Sequence, residues 1–306
     1  MELQQMRYVI AVAETNSFTR GAERCLVVQS ALSHQIARLE RELGARLFER
    51  TSRRVRLTAA GEAFLPAARQ CLNAAERVTA EVAAAVGEVR GRLSLGIIPT
   101  VAAADIPGTL SRFRRRYPDV QVSLRVGASE DLIDQVKEGI LEVAFLGLPT
   151  TKLLDGVNVR ELCRDHLVAV VAPDHPLADE TVVDLQRLCS EVFVDLPPRT
   201  AGREQSDQAF AAAGLTREVA FEVTTADFMM ARLVRQGLCI AMLPSRYVPQ
   251  LTGVVAVEVT GAPTRVENVI WSRAGLTPAA TAFLRMLDLP EHWFGSDRAE
   301  WDAQSD

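Results

Sequence analysis

The sequence predicts three architectures in succession: a small helical head, one long bridging helix, and an α/β body. Three observations predict them. In residues 29–43 the apolar positions Leu32, Ile36, Leu39 and Leu43 fall at spacings of 4, 3 and 4, the stripe of an amphipathic helix. From Phe64 onward, Phe64, Ala68, Cys71, Ala75, Val78, Val82, Ala85 and Val89 alternate spacings of 4 and 3, an unbroken heptad seam. Beyond Gly91, short apolar runs alternate with helical segments, the pattern of a parallel sheet with helices on both faces.

Within the head, residues 17–61 read as two short helices joined by a tight turn, an arginine-rich loop, and the start of the long helix. Opposite its apolar stripe the second helix carries Ser30, His34, Ala37 and Arg41, flanked by Gln29 and Ser33. Glutamine, serine and histidine at its N-terminal end can hydrogen-bond base edges, and Arg38 joins the candidate set. Just downstream, RTSRRVR places Arg50, Arg53, Arg54 and Arg56 within seven residues, a natural phosphate clamp. Each piece alone also fits a solvated surface. Their compact order points instead to a helix-turn-helix that offers its second helix to the major groove of double-stranded DNA.

Charge supports that division. Residues 1–58 hold ten arginines and six glutamates, a charge of +4, so the remainder carries −9 of the net −5. A basic head on an acidic body is the asymmetry expected when one domain alone meets phosphate.

Thr58 is the expected N-cap of the bridging helix, Pro66 should bend it or remove one hydrogen bond, and Gly91 marks the main boundary. A helix that bridges two domains has little of either to lie on, so the seam is expected to pair with a second copy. In the body, RLSLGIIP, QVSLRVG and LEVAFLG read as strands, with helices IPGTLSRFRRRYP and SEDLIDQVKEG between them and Ser129 as the second helix cap. A second set begins near HLVAVVAP and runs through EVFVDLP, GREQSDQAFAAAG, VAFEV and DFMMARLVRQG to CIAMLP. The strand RVENVIWS and the helix TPAATAFLRMLDL follow, then the polar tail GSDRAEWDAQSD.

The run MRYVIAVAETNSFTRGAER, then VQSALSHQIARLERELGARLFER, then RRVRLTAAG resembles the N-terminal domain of LysR-type transcriptional regulators. RLSLGIIPT, PDHPL and GLCIAMLP extend the resemblance along nearly the whole chain. It implies a winged helix-turn-helix in residues 1–58, a dimerising linker helix in 59–90, and an effector-binding domain in 91–295, with 296–306 a tail. That domain would be two α/β lobes around a cleft, like a periplasmic solute-binding protein, its last segment returning to the first lobe. The resemblance further implies a homodimer or homotetramer, a small-molecule effector and contact with RNA polymerase.

Three residues depart from the family pattern. Val28 stands where a capping serine or threonine is usual, a loss of about 0.5–2 kcal/mol. Gly21 replaces a usual alanine inside a helix, at about 1 kcal/mol. Cys25 sits where leucine is common.

In an α/β lobe small ligands sit at the carboxyl ends of strands, near free backbone N–H groups. This points to Thr100 and Val101 after the first strand, Ser129, and Leu148, Pro149 and Thr150 after the third. Pro198, Thr200 and Arg203 would face them from the other lobe, with Phe228 also in the lining. Similar regulators hold an inducer with these loops; Thr100, Ser129 and Thr200 could instead merely cap helices. Arg199 and Arg203 suggest an anionic metabolite.

An enzyme is disfavoured: there is no GxSxG, HExxH, GxGxxG or phosphate-binding glycine loop, and no His sits in a recognisable catalytic pattern. The five cysteines form no CxxC pair and no zinc spacing with the four histidines, so neither metal nor cofactor is expected. Neither a signal peptide nor a membrane span is visible, and a cytoplasmic protein is the expectation. Two alternatives stay open: redox sensing through Cys163 and Cys189, and a solute-binding or catalytic α/β protein whose N-terminal helices only dimerise it.

Overall fold

The computed structural model describes residues 1–50 and 55–287, with side chains for all of these but Arg50. The head contains α1 (Leu3–Thr15), α2 (Phe18–Arg24), α3 (Gln29–Leu43), and a hairpin of β1 (Phe48–Arg50) and β2 (Val55–Leu57). Ser17 starts α2 by accepting the Arg20 N–H. Val28 precedes α3 and its side chain caps nothing, as an apolar residue must. Leu32, Ile36 and Leu39 are fully buried with Val9 and Val12, and Phe18 meets Phe48 edge-on at 5.5 Å. Leu43, expected on this stripe, is 41% exposed: the chain turns at Gly44 (φ 67), and the buried Leu47 and Phe48 supply the next apolar contacts. Gly21 has a packing reason, because a Cβ there would stand 2.9 Å from Val12 Cγ2 and 3.1 Å from its Cα. The wing is tied to α3 by Glu40, whose Oε1 accepts the N–H groups of Leu47 and Phe48 at 2.8 and 3.2 Å.

The bridging helix is α4 (Ala59–Ala85), which Thr58 caps by accepting the Gly61 N–H and which runs through Pro66. One face rests on its own chain, contrary to expectation. Ala68, Ala80 and Ala83 are buried there, small enough for close approach. Arg69 bridges Glu138 (3.0 Å) in the body and Glu14 (3.3 Å) in the head. Asn73 donates to the Gly139 carbonyl at 2.6 Å, and Arg77 to that of Ala274. The seam therefore divides: Ala68 faces inward, while Cys71, Val78, Val82 and Ala85 are exposed.

The body opens with β3 (Gly91–Ile97), α5 (Ile106–Arg116), β4 (Val120–Val126), α6 (Ser129–Lys137), β5 (Val143–Pro149) and β6 (Val157–Val171). The second lobe continues with β7 (Val182–Asp184), α7 (Leu185–Leu188), β8 (Val192–Asp195), α8 (Ala201–Ala212) and β9 (Glu218–Glu222). After a π-helical turn (Ala226–Met230) come α9 (Ala231–Arg235), β10 (Ala241–Pro244), a 3-10 turn (Val248–Gln250) and β11 (Val255–Thr260). Finally β12 (Thr264–Ser272) and α10 (Pro278–Arg285) return to the first lobe. The expected tail lies outside the described residues.

The expected parallel sheet is mixed. β3 pairs in parallel with β4 and β5, but β12 lies antiparallel between β5 and β6. β6 is the strand that joins the lobes: its first ten residues run along β12, with the register shifting at Leu162, and its last five pair with β10 and β11. The apolar run HLVAVVAP revealed only the second half, because residues 157–166 alternate buried and half-exposed positions with charged ones. Lobe I packs Phe113, Phe145 and Phe283 on one face of its sheet and Leu132, Val136 and Leu146 on the other. Lobe II is centred on Phe193 and Phe210 on one face and Val168, Val194 and Met230 on the other. Ala201, the first residue of α8 in lobe II, packs with Leu146 and Leu148 of lobe I, so the two lobes meet.

Candidate DNA-binding face and interlobe cleft

The face of α3 away from the core exposes Gln29, Ser30, His34 and Arg38, while Ser33 is half-buried. With no side chain at Val28 to cap them, the first amides of α3 point out of the helix beside these residues. An uncapped helix end and short polar groups can together hold a phosphate and read a base edge. Arg56 is exposed on the wing, opposite Glu49 in the hairpin. The Arg50 side chain, Arg53 and Arg54 lie outside what is described.

At the cleft, the lobe I candidates converge on two residues that sequence reasoning missed. Thr100 is buried, and its Oγ1 accepts from Arg265 Nη1 at 3.1 Å. Arg265 Nη2 donates to Glu267 Oε1 at 3.0 Å. The other oxygen, Glu267 Oε2, accepts the N–H groups of Ala102 and Ala103 at 3.0 and 2.9 Å. Ser129 Oγ exchanges hydrogen bonds with both the carbonyl and the N–H of Gly147 at 3.2 Å. At Gly147 a Cβ would stand 2.3 Å from Arg265 Nη2 and 2.8 Å from Ile98 Cδ1, so the guanidinium would have to shift to admit one. Burial pushes Arg265 below the usual guanidinium range, and the charges of Glu267 and then Asp165 pull it back up.

None of the three hydroxyls plays the helix-capping role considered for it. α5 begins at Ile106 with Asp105 as cap, so Thr100 lies in the preceding turn. Ser129 is the first residue of α6, preceded by Ala128 as cap. Thr200 does precede α8, but its hydroxyl donates back to the Pro197 carbonyl at 2.8 Å. The anion suggested by Arg203 loses its support, because Arg203 is paired with Asp207 at 2.8 Å in its own lobe. Arg199 is exposed, at φ 68.

Leu148 is buried beside Ala201, and the Val101 carbonyl accepts from Gln250 of lobe II at 3.4 Å. Pro149 is half-buried. Thr150, Pro198 and Phe228 are exposed, with the Arg232 guanidinium 5.1 Å over the Phe228 ring. A surface groove of about 540 Å³ lined by residues 87–91 and 116–119 lies at the junction of α4 with the body, away from this cluster.

Two further buried groups escaped the sequence reading. Asp165 accepts from Ser245 Oγ at 2.7 Å and from the Arg246 N–H at 3.1 Å, where β6 passes between the lobes. Gln205 is 4% exposed, and neither end of its amide has a partner among the described residues. Arg265 and Glu267 did carry a signal: two charges two apart in the strand RVENVIWS share one of its faces.

The redox alternative finds no activated thiol at Cys163. Burial, then the charge of the facing Glu267, pushes this thiol up to about 11, the reverse of a reactive thiolate. Cys189 donates to the Leu185 carbonyl, and all five cysteines are free. Among the described residues no acidic, His or Cys cluster could hold a metal, and no helix is long and apolar enough to cross a membrane.

Residues 3–62 match the family model of the bacterial regulatory helix-turn-helix protein, lysR family, and residues 87–289 match that of the LysR substrate binding domain. The chain is similar to the Hca operon transcriptional activator HcaR of Escherichia coli (strain K12), 31% identical over 94% of this chain and 97% of the relative. It is also similar to full-length CbnR in complex with its target DNA, with 26% identity, a TM-score of 0.63, and coverage of 94% of this chain and 98% of that one. A full-length OxyR variant from Pseudomonas aeruginosa gives a TM-score of 0.71 over 94% of this chain and 93% of that one, at 23% identity, a likeness of fold.

Proposed function

The chain belongs to the LysR family of transcriptional regulators, with a DNA-binding head and an effector-binding body, and on that premise we propose how its own residues divide the work. Gln29, Ser30, Ser33 and His34 read base edges in the major groove, and Arg38, Arg50, Arg53 and Arg54 hold phosphates. Two copies pair along the exposed part of the α4 seam and set two recognition helices about one DNA turn apart, matching an inverted repeat. Homodimers that associate further into homotetramers fit the same geometry.

The cleft takes a small-molecule effector between the Thr100–Val101, Ser129 and Leu148–Thr150 segments of lobe I and the Pro198–Arg203 and Phe228 segments of lobe II. Its binding shifts the placement of the subunits, and with it DNA bending and contact with RNA polymerase. The protein catalyses no reaction and works in the cytoplasm, as its relatives' role in transcription suggests.

The observation that carries this reading is α3 itself. Leu32, Ile36 and Leu39 are 0% exposed, while short polar residues cover the opposite side at an uncapped end. Genomic fragments retained by the protein would supply the operator. Gln29→Ala or Ser33→Ala should then reduce discrimination between operator and random DNA by about 1–3 kcal/mol per lost base contact. Binding to random DNA should change little. Equal weakening on both DNAs would place these residues on the backbone and sink the groove assignment.

A further inference from the structure

Two consecutive backbone N–H groups, those of Ala102 and Ala103, converge on one oxygen of Glu267, and the guanidinium of Arg265 holds the other. Paired amides facing a guanidinium are the chemistry that captures a free carboxylate. Here the carboxylate is delivered by the chain, from a strand more than 160 residues downstream of the amides it satisfies. Nor is the arrangement a loose surface pair. The side chains of Arg265 and Glu267 are 4% and 1% exposed, Thr100 fixes the second arm of the guanidinium, and the bare backbone of Gly147 leaves room for it.

We propose that Glu267 is a tethered anion that fills the carboxylate position of the effector cleft, and so sets the class of effector. A metabolite recognised through a free carboxylate at the Ala102–Ala103 amides is excluded, because that position is taken and a second negative charge would face Glu267 and Asp165. Two buried groups at the cleft keep hydrogen-bonding capacity without a partner among the described residues, the Nε–H of Arg265 and the side-chain amide of Gln205. Gln205 lies one helical turn after Ala201, on the face that packs against lobe I. Its buried amide offers both a donor and an acceptor without a partner among the described residues. The effector this cleft selects is therefore one that places no carboxylate at these amides and that can both donate to and accept from the Gln205 amide. This inference rests on the cleft reading above and deepens it.

The fragment lost in Glu267→Ala is an acetate ion, so acetate is the probe. Thermal unfolding of the full-length variant would be followed with sodium acetate against sodium chloride at equal ionic strength. Glu267→Ala should melt below the wild type, and acetate at ten times its Kd should raise its Tm by about 2–4 °C beyond chloride. Wild type should respond no more to acetate than to chloride. Glu267→Gln keeps the volume and leaves no hole, so acetate should not stabilise it.

A folded Glu267→Ala that ignores acetate overturns the proposal, as does equal stabilisation of the glutamine variant. If the alanine variant cannot be purified folded, refolding from urea decides: recovery in acetate supports the tethered anion, and equal failure in both salts overturns it. Retention of operator DNA by the same proteins separates this outcome from the fate of the cleft reading. Acetate that restores stability without altering DNA retention leaves the tethered anion standing and removes effector control. A metabolite without a carboxylate that alters wild-type retention, with an alanine variant deaf to acetate, does the opposite.

Discussion

Helix α3 and strand β12 each set polar residues beside an apolar face, and they dispose of them in opposite ways. On α3 the polar side chains Gln29, Ser30, His34 and Arg38 stand in solvent at an uncapped helix end. On β12, Arg265 and Glu267 are turned inward and held by each other, Thr100 and the Ala102–Ala103 turn, with the Arg265 Nε alone of their polar atoms left without a partner among the described residues. The difference follows from what each surface must meet. DNA brings its own charge and displaces water from groups that were never desolvated, so exposed residues lose little by waiting. A buried charge has no such freedom, because leaving it unpaired is unfavourable by several kcal/mol. The head is built to be completed by a partner, and lobe I has completed much of its polar cleft from within.

The strongest blow to that contrast falls on the partner the head needs. Val78→Asp combined with Val82→Asp puts four charges per dimer into a seam whose residues are 65% and 64% exposed in the single chain. Dimers should be lost, and operator affinity should fall by about a hundredfold or more. Sedimentation at micromolar protein checks the first and filter retention the second; a variant that stays dimeric would place the interface elsewhere.

Gly147→Ala attacks the internally completed side instead. Its new Cβ would stand 2.3 Å from Arg265 Nη2, so the guanidinium must leave Thr100 or Glu267, destabilising the body by about 1–3 kcal/mol. The urea midpoint should fall, while the native protein's binding to random DNA stays unchanged. An unaltered midpoint would mean that the cluster yields without strain.

The smallest effect is expected at Cys163. With its thiol pushed up to about 11, it should alkylate slowly at neutral pH, and peroxide should leave DNA retention unaltered in both wild type and Cys163→Ser. A peroxide response present in wild type and absent from the serine variant would revive redox sensing.

Much of the head was legible because its signals are local. A stripe spaced 4, 3 and 4 belongs to one helix, and neighbours on a helix are neighbours in sequence. The failure at Leu43 shows the limit of this, since periodicity continues past the point where Gly44 turns the chain away from the core. The cleft candidates were legible as segments but not as contacts. The hydroxyls of Thr100 and Ser129 both bond within the interior of lobe I, and Arg203 answers Asp207 in lobe II.

By itself the sequence determined the amphipathic helices, the cap at Thr58, the exposed polar end of α3, and the uneven charge of head and body. Each rests on helical period, side-chain capping or net charge, which act within a few residues or need no geometry at all. Only the tertiary structure decided that β12 enters antiparallel between β5 and β6, that β6 joins the two lobes, and that one face of α4 lies on its own body. It also decided that Glu267 meets amides 164 and 165 residues away. Strand pairing and buried ion pairs bring together distant parts of the chain, and which partner a strand or a charge finds depends on how every intervening element packs.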